Sequence, residues 1–275
     1  MPNFIVGARL HDYGRGTPDE LFGQVSADGF AAVQLAYKKC VPTVKSYADV
    51  TDALVAETVA AEKAHHIQVA VLGTYVELAI NDESRLCNVA DFKSQLSVCK
   101  ALGAGCIGTE TTAMSKQPAG TTRAQAQELL CRSLAEILPA AEALGVTVGI
   151  EPVTYHSMNS AAATRHILDT MRSPNLKVIF DMSNLVSAEN VDAQDRIWYD
   201  MGALLGDQIV AVHFKGQAFA PDGSLLHTSL EESRTDYAGA FAMLRQLPQP
   251  ALPVLREEAV PACAASDIAF MKGFF

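Results

Sequence analysis

The sequence predicts a single (β/α)₈ barrel, and three observations carry that prediction. Eight short apolar runs alternate with longer segments of helical spacing. No Pro/Gly/Ser-rich linker, charge block or low-complexity tract divides the chain, so residues 1–275 read as one domain. The polar residues that end several of the later runs recur roughly one strand–helix unit apart, about 30 residues.

The eight runs are 4–10, 31–36, 67–75, 106–109, 146–151, 177–181, 209–214 and 254–257. Their near-continuous Val, Ile and Ala content suits parallel strands covered on both faces, not half-exposed antiparallel ones. Between them, 47–65, 89–102 and 121–144 carry Ala, Leu and Val at three-to-four spacing and read as helices. The last two end alike, in Ala-Leu-Gly at Gly103 and Gly145, where glycine can take the left-handed conformation that stops a helix. Ser173-Pro174-Asn175 and Asn190-Val191-Asp192 supply further stop and start signals, and Asp236-Tyr237 opens the seventh helix. A doubly wound open sheet is the competing architecture. It usually shows a glycine-rich first turn, and neither GxGxxG nor GxxxxGK[ST] occurs.

Composition removes several classes. At 49% hydrophobic residues the chain can bury a core without staples. A formal charge of −10 opposes a phosphate backbone, so no nucleic-acid partner is expected. The most apolar stretch, 67–80, is interrupted by Gln68, Gly73 and Glu77 and is too short for a bilayer, so no membrane association is expected. There is no basic leader followed by an apolar run, and the six cysteines form no CxxC, as in a cytoplasmic protein with reduced thiols.

The chemistry lies where the runs stop. Val146-Thr-Val-Gly-Ile150 ends in Glu151, Val178-Ile-Phe180 in Asp181, and Ile209-Val-Ala-Val212 in His213, while Val254-Leu255 precedes Arg256, Glu257 and Glu258. Strand alternation puts Thr147, Gly149 and Glu151 on one face and Val146, Val148 and Ile150 on the other. Any one such carboxylate would ordinarily cap a helix or pair with a cation. Several carboxylates and an imidazole converging on one barrel mouth repel unless a cation neutralises them. Oxygen ligands with one nitrogen suit one divalent ion, Mn²⁺ first, with Mg²⁺, Co²⁺ or Zn²⁺ as alternatives.

These residues, with GFAAVQLAY (29–37), GTETT (108–112), GIEPV (149–153), SPNLKVIFDMSNL (173–185), VHFKG (212–216) and LREEA (255–259), resemble the xylose-isomerase-like barrel superfamily of sugar and sugar-phosphate isomerases and epimerases. The resemblance implies metal ligation by Glu151, Asp181, His213 and a glutamate of the last strand. Glu257 is chosen, which places Leu255 inward and Arg256 outward, and Glu258 is the alternate. It also implies a sugar or sugar-phosphate substrate and a homo-oligomer, to which the apolar tail IAFMKGFF (268–275) could contribute. Two departures stand out: Asn184 where many members have a substrate-contacting histidine, and Gln34 where related chains often have glutamate. A multi-metal endonuclease is disfavoured, since no DxH pair follows His213.

Around this set, Glu110 and His156 are candidate sugar contacts, and Asn184 can still hydrogen-bond a hydroxyl. Lys215 is a candidate for an oxyanion or phosphate, or else a partner for a rim carboxylate. His11 and Tyr13 are placed at the mouth. Arg234 reads as a surface charge, His65 and His66 as helix-end residues, and Trp198 as packing. Ser157 and Ser183 lack the GxSxG context of a nucleophile. The expected activity is metal-dependent isomerisation or epimerisation by proton transfer through an enediolate, with Glu151 and Glu257 as the acid/base pair. The alternatives are dehydration of a polyol ketone on the same site, or a sugar-binding barrel without catalysis.

Overall fold

The computed structural model describes residues 1–80 and 83–275. Eight parallel strands close a barrel: β1 (Asn3–Arg9), β2 (Ala32–Leu35), β3 (Gln68–Gly73), β4 (Cys106–Glu110), β5 (Val148–Glu151), β6 (Leu176–Asp181), β7 (Ile209–Phe214) and, after a two-stranded insertion, β10 (Ala251–Arg256). Closure is made by β10 lying between β7 and β1. The helices that follow these strands in turn are α1 (Pro18–Ala27), α3 (Asp52–His65), α4 (Ser84–Leu102), α5 (Arg123–Leu144), α6 (Ala161–Met171), α7 (Gln194–Leu205), α8 (Tyr237–Leu244) and α9 (Ala264–Lys272). A single turn, α2 (Tyr37–Cys40), precedes α3. All eight predicted strands are present.

Capping chemistry sets the helix starts. Thr17 and Glu20 form a reciprocal capping box with Pro18 in the first turn of α1, and Thr122 with Gln125 does the same for α5. Gly103 and Gly145 end α4 and α5 with φ of 65° and 68°, as their sequence context predicts. The helix expected over 47–65 is instead two pieces. Asp49 accepts the amides of Lys45 and Ser46 and closes a short turn, and Thr51 then caps α3 by accepting from Leu54. A capping residue needs extended backbone, and Thr51 has ψ of 160°, so one continuous helix cannot form.

Two hydrophobic layers hold the barrel. The inner one is small, made of Ala32, Ala70, Val71, Cys106, Ile179, Ala211 and Leu255. The outer one joins strand backs such as Val148, Ile150 and Phe180 to the helices. Narrowness of the inner layer explains the strand glycines. A Cβ on Gly7 would lie 2.4 Å from Leu255 Cδ2 and 2.6 Å from the Ala32 carbonyl, and one on Gly108 would lie 2.5 Å from Ile179 Cδ1.

An antiparallel hairpin, β8 (Gly216–Phe219) with β9 (Leu225–Thr228), stands beyond the C-terminal end of β7 and was not anticipated. Its turn, Pro221-Asp222-Gly223, carries a recognisable signal: Asp222 accepts from the Ser224 amide and Gly223 takes φ of 83°. The apolar tail also differs from expectation. Phe274 stacks on Phe241 with ring centres 5.7 Å apart, and Phe275 lies 5.1 Å from Phe4. The tail covers its own barrel and carries no argument for an oligomer.

No helix among the described residues is long and apolar enough to cross a membrane. All six cysteines are free, with Cys40, Cys99 and Cys106 buried. Gly7→Ala should lower unfolding stability by roughly 1–3 kcal/mol in denaturant titration, because the Ala32 backbone cannot yield to the new methyl.

Candidate metal centre at the barrel mouth

Stepping two residues along each strand from the inner layer reaches the mouth. Ile179 leads to Asp181, Ala211 to His213, Leu255 to Glu257, and on β5 Gly149 leads to Glu151. Asp181 pairs in register with His213, and Glu110 with Glu151, so these residues share a level. Leu255 faces inward while Arg256 points out to Asp267 of α9 at 2.8 Å. This is the orientation expected if Glu257, not Glu258, points into the site.

Ligand atoms of Glu151, Asp181 and His213 lie within 4.8 Å of one another, and all three side chains are buried. Glu151 Oε2 is 3.1 Å and Glu257 Oε1 3.5 Å from the same ring nitrogen, His213 Nδ1. Glu257 falls outside the three-residue cluster and leans toward Arg9, 3.9 Å away. Glu258 is half-buried in left-handed backbone, with φ of 55°, and meets His227 of β9 at 2.5 Å.

The electrostatics follow from this crowding. Burial opposes charge on His213, yet Glu257 and Glu151 outweigh it and push its pKa up to about 9. Burial also works against ionised Glu151, but His213, Lys215 and Asn184 hold its carboxyl below the usual range. Asp181 and Glu257 are raised by burial in spite of their neighbouring cations. Glu110 rises to about 8 through burial and the proximity of Glu151. His213 Nε2 is buried with no hydrogen-bond or ion-pair partner among the described residues, while Nδ1 and Asp181 Oδ2 meet charged neighbours, Glu151 and Lys215. A buried ring nitrogen is rarely left so, and two carboxylates and an imidazole at this spacing fit a divalent cation.

The xylose isomerase-like TIM barrel family model matches residues 22–264. The chain belongs to that family. No curated protein sequence matches this chain. Among solved structures the chain is similar to 3-keto-D-glucoside 4-epimerase YcjR from E. coli, with TM-score 0.73, 17% identity, and coverage of 98% of this chain and 100% of that one. D-psicose 3-epimerase, solved in the presence of D-fructose, gives TM-score 0.72 and 17% identity over 100% of this chain and 99% of that one. The IOLI protein with a bound zinc atom gives 0.75 and 16% over 100% and 96%. At these identities the likeness is one of fold.

The other expected site residues of this family member are placed as follows. Asn184 donates to Glu151 Oε1 at 2.6 Å, so its amide fixes a carboxylate of the cluster. Lys215 Nζ lies 3.1 Å from Asp181 and 4.0 Å from Glu258, and these acids, with Glu257 and Glu151, raise its pKa. Its charge is therefore engaged with rim carboxylates. His156 is buried 3.8 Å from Glu110, and burial lowers its pKa to about 4. His11 sets its ring edge on Tyr75 beside the mouth, with centres 5.7 Å apart. Tyr13 does not line the mouth: its hydroxyl donates to Asp28 at 2.6 Å, in a separate crevice beside Phe30 and Arg256. Its side chain follows a short helical turn after β1, where strand alternation no longer applies. Arg234 reaches Asp192 at the surface, as expected.

Arg9 and Tyr75 also line the pocket and were missed. Gln34, noted in the sequence only as a departure, donates to the Tyr75 hydroxyl at 2.8 Å. The alternation applied to β5 would have found Arg9, two beyond Gly7, and Tyr75, two beyond Gly73. Tyr75 has φ of 53°, a left-handed backbone that a bulky residue seldom adopts and that strand patterning does not signal.

Two outcomes check the centre. Because His213 must lose a proton to ligate, Mn²⁺ affinity should weaken as pH falls below about 9, up to tenfold per unit, with about one proton released in calorimetry across buffers. Asp181→Ala and His213→Ala should each abolish Mn²⁺ binding while leaving the circular dichroism spectrum unchanged.

Proposed function

We propose that the protein is a divalent-metal-dependent sugar isomerase or epimerase that moves a proton through an enediolate, with Mn²⁺ as its ion. The observation that carries this is the buried Glu151–Asp181–His213 cluster with the unpartnered His213 Nε2, and Glu257 beside it on the Nδ1 of the same imidazole. The sugar epimerases among the similar structures agree with it. When bound, the ion supplies Lewis-acid polarisation of a carbonyl and its neighbouring hydroxyl.

The residues divide the proton work. Glu151, kept ionised by His213, Lys215 and Asn184, accepts the proton from the carbon beside the carbonyl. Glu257, on a different strand and raised by burial, is the group that returns a proton. Delivery to the opposite face inverts the stereocentre, and delivery to the neighbouring carbon interconverts ketose and aldose. Asn184 keeps Glu151 aimed, and Lys215 neutralises Asp181.

A second reading is dehydration, and Glu110 favours it. Its pKa of about 8 leaves a protonated carboxyl on the same rim, placed to protonate a departing hydroxide. Product mass separates the two, since isomerisation conserves mass and dehydration loses water.

Stripping with EDTA should abolish turnover and Mn²⁺ should restore it. Glu151→Gln should cut kcat by about 10²–10⁴-fold with Mn²⁺ still bound, since the amide keeps an oxygen but accepts no proton. In D₂O, deuterium should enter the product at the reacting carbon by NMR. Full turnover without deuterium, together with normal kcat in Glu151→Gln, would replace proton transfer with a hydride shift.

A further inference from the structure

The centre and its surroundings differ sharply in room. The pocket over Glu151, His213 and Glu257 is narrow, about 30 Å³. Directly beside it runs a groove of about 710 Å³ between the Tyr155 loop and the β8–β9 hairpin. That volume falls within the range of about 300–1,000 Å³ typical of pockets for drug-sized ligands. The groove abuts the centre through Asn184, which lines it and donates to Glu151, and whose carbonyl accepts from Thr154. Tyr155 is near enough to feel the charges of Glu110, Lys215, Asp181 and Glu151.

The lining states the chemistry of the occupant. Tyr155 is 55% and Leu225 41% exposed, and Phe219 is half-buried on the same groove, so apolar faces stand uncovered on both lips. Aromatic faces exposed to solvent are surfaces on which the C–H face of a sugar ring can stack. The one lining cation, Arg123, donates to the His156 carbonyl, and Glu189 and Asp222 stand among the lining residues with it. A groove with more acid than free base does not select a phosphate.

We infer that this groove is a second-ring subsite, and that the substrate is a glycoside: its reacting ring lies over the rim with the reacting carbons turned to the metal centre, and a neutral second sugar ring lies between Tyr155 and the hairpin. The inference rests on the isomerase or epimerase reading and names its substrate class. It assigns a purpose to the hairpin, whose Phe219 and Leu225 form one wall while His227 reaches Glu258 over the metal pocket.

The test follows deuterium incorporation from D₂O with the Mn²⁺-loaded protein on paired probes: D-fructose against isomaltulose, and 3-keto-D-glucose against 3-keto-cellobiose. At least one two-ring sugar should exceed its one-ring partner in kcat/KM by about tenfold or more. Tyr155→Ala with Phe219→Ala should collapse that ratio about tenfold, and Tyr155→Ala alone, at an exposed position, should lower it if the double variant fails to fold. Tyr199→Ala, on α7 away from the groove, should leave the ratio unchanged. One-ring sugars that exchange as well as their partners, with a ratio the variants do not move, would overturn the subsite while leaving the isomerase reading intact. Preference for D-fructose 6-phosphate over every two-ring probe would likewise overturn it. Exchange with no probe of either kind, under Mn²⁺-replete conditions, would overturn the isomerase reading and the subsite together.

Discussion

A closed eight-stranded barrel turns every second side chain of every strand toward one axis, and near the C-terminal rim that axis carries an excess of acid. Glu110, Glu151, Glu257 and Glu258 line the pocket with Arg9, Lys215 and His213 opposing them, while the fully buried Asp181 pairs with Lys215. Buried carboxylates repel and lose hydration, so they persist only where cations or shared protons compensate. The raised pKa values of Glu110, Asp181 and Glu257, and the raised value of His213, are two sides of this one constraint. A divalent ion in the Glu151–Asp181–His213 cluster would relieve it most directly.

The rest of the barrel is arranged to let these charges meet. Below the rim, glycine and alanine at inward positions keep the lumen narrow, and Ile179, Val71 and Leu255 pack within it. Above the rim, Tyr75 and Glu258 are both held in left-handed backbone, at about 1–3 kcal/mol each. Both line the pocket, on opposite sides of Arg9 in the strand order, and such strain persists only where surrounding contacts over-determine it. For Tyr75 these are Gln34, His11 and the Lys39 ammonium 3.3 Å from the ring centre.

The last strand carries the heaviest structural duty near the site. Arg256 turns outward to Asp267 in a buried pair and also donates to the Glu257 carbonyl, which ties α9 to the strand end that aims Glu257 inward. Closure of the barrel between β7 and β1 passes through this same strand. Fold closure and site geometry thus share a few residues, and a change at Arg256 reaches both.

The sequence by itself determined the barrel, because eight buried parallel strands write near-continuous apolar runs, and helix caps of the Thr-x-x-Glu and Leu-Gly kinds are local chemistry. It also determined Glu151, Asp181 and His213, since period-two alternation carries inward parity straight from the inner layer to the rim. Tertiary structure alone decided the rest. The outward turn of Arg256, which leaves Glu257 on the lumen side, depended on Asp267 eleven residues on, a pairing that local pattern does not specify. Tyr13 left the mouth through a helical turn, outside strand alternation, and Tyr75, though in parity with Gly73, sits there in a left-handed backbone that the pattern does not signal. The hairpin announced its turn in Pro221-Asp222-Gly223, but its placement over the rim depends on Gln217 donating to the Ser183 and Val186 carbonyls across the mouth. Residues distant in sequence meet only after the barrel closes, and the room left between them is a property of the closed fold.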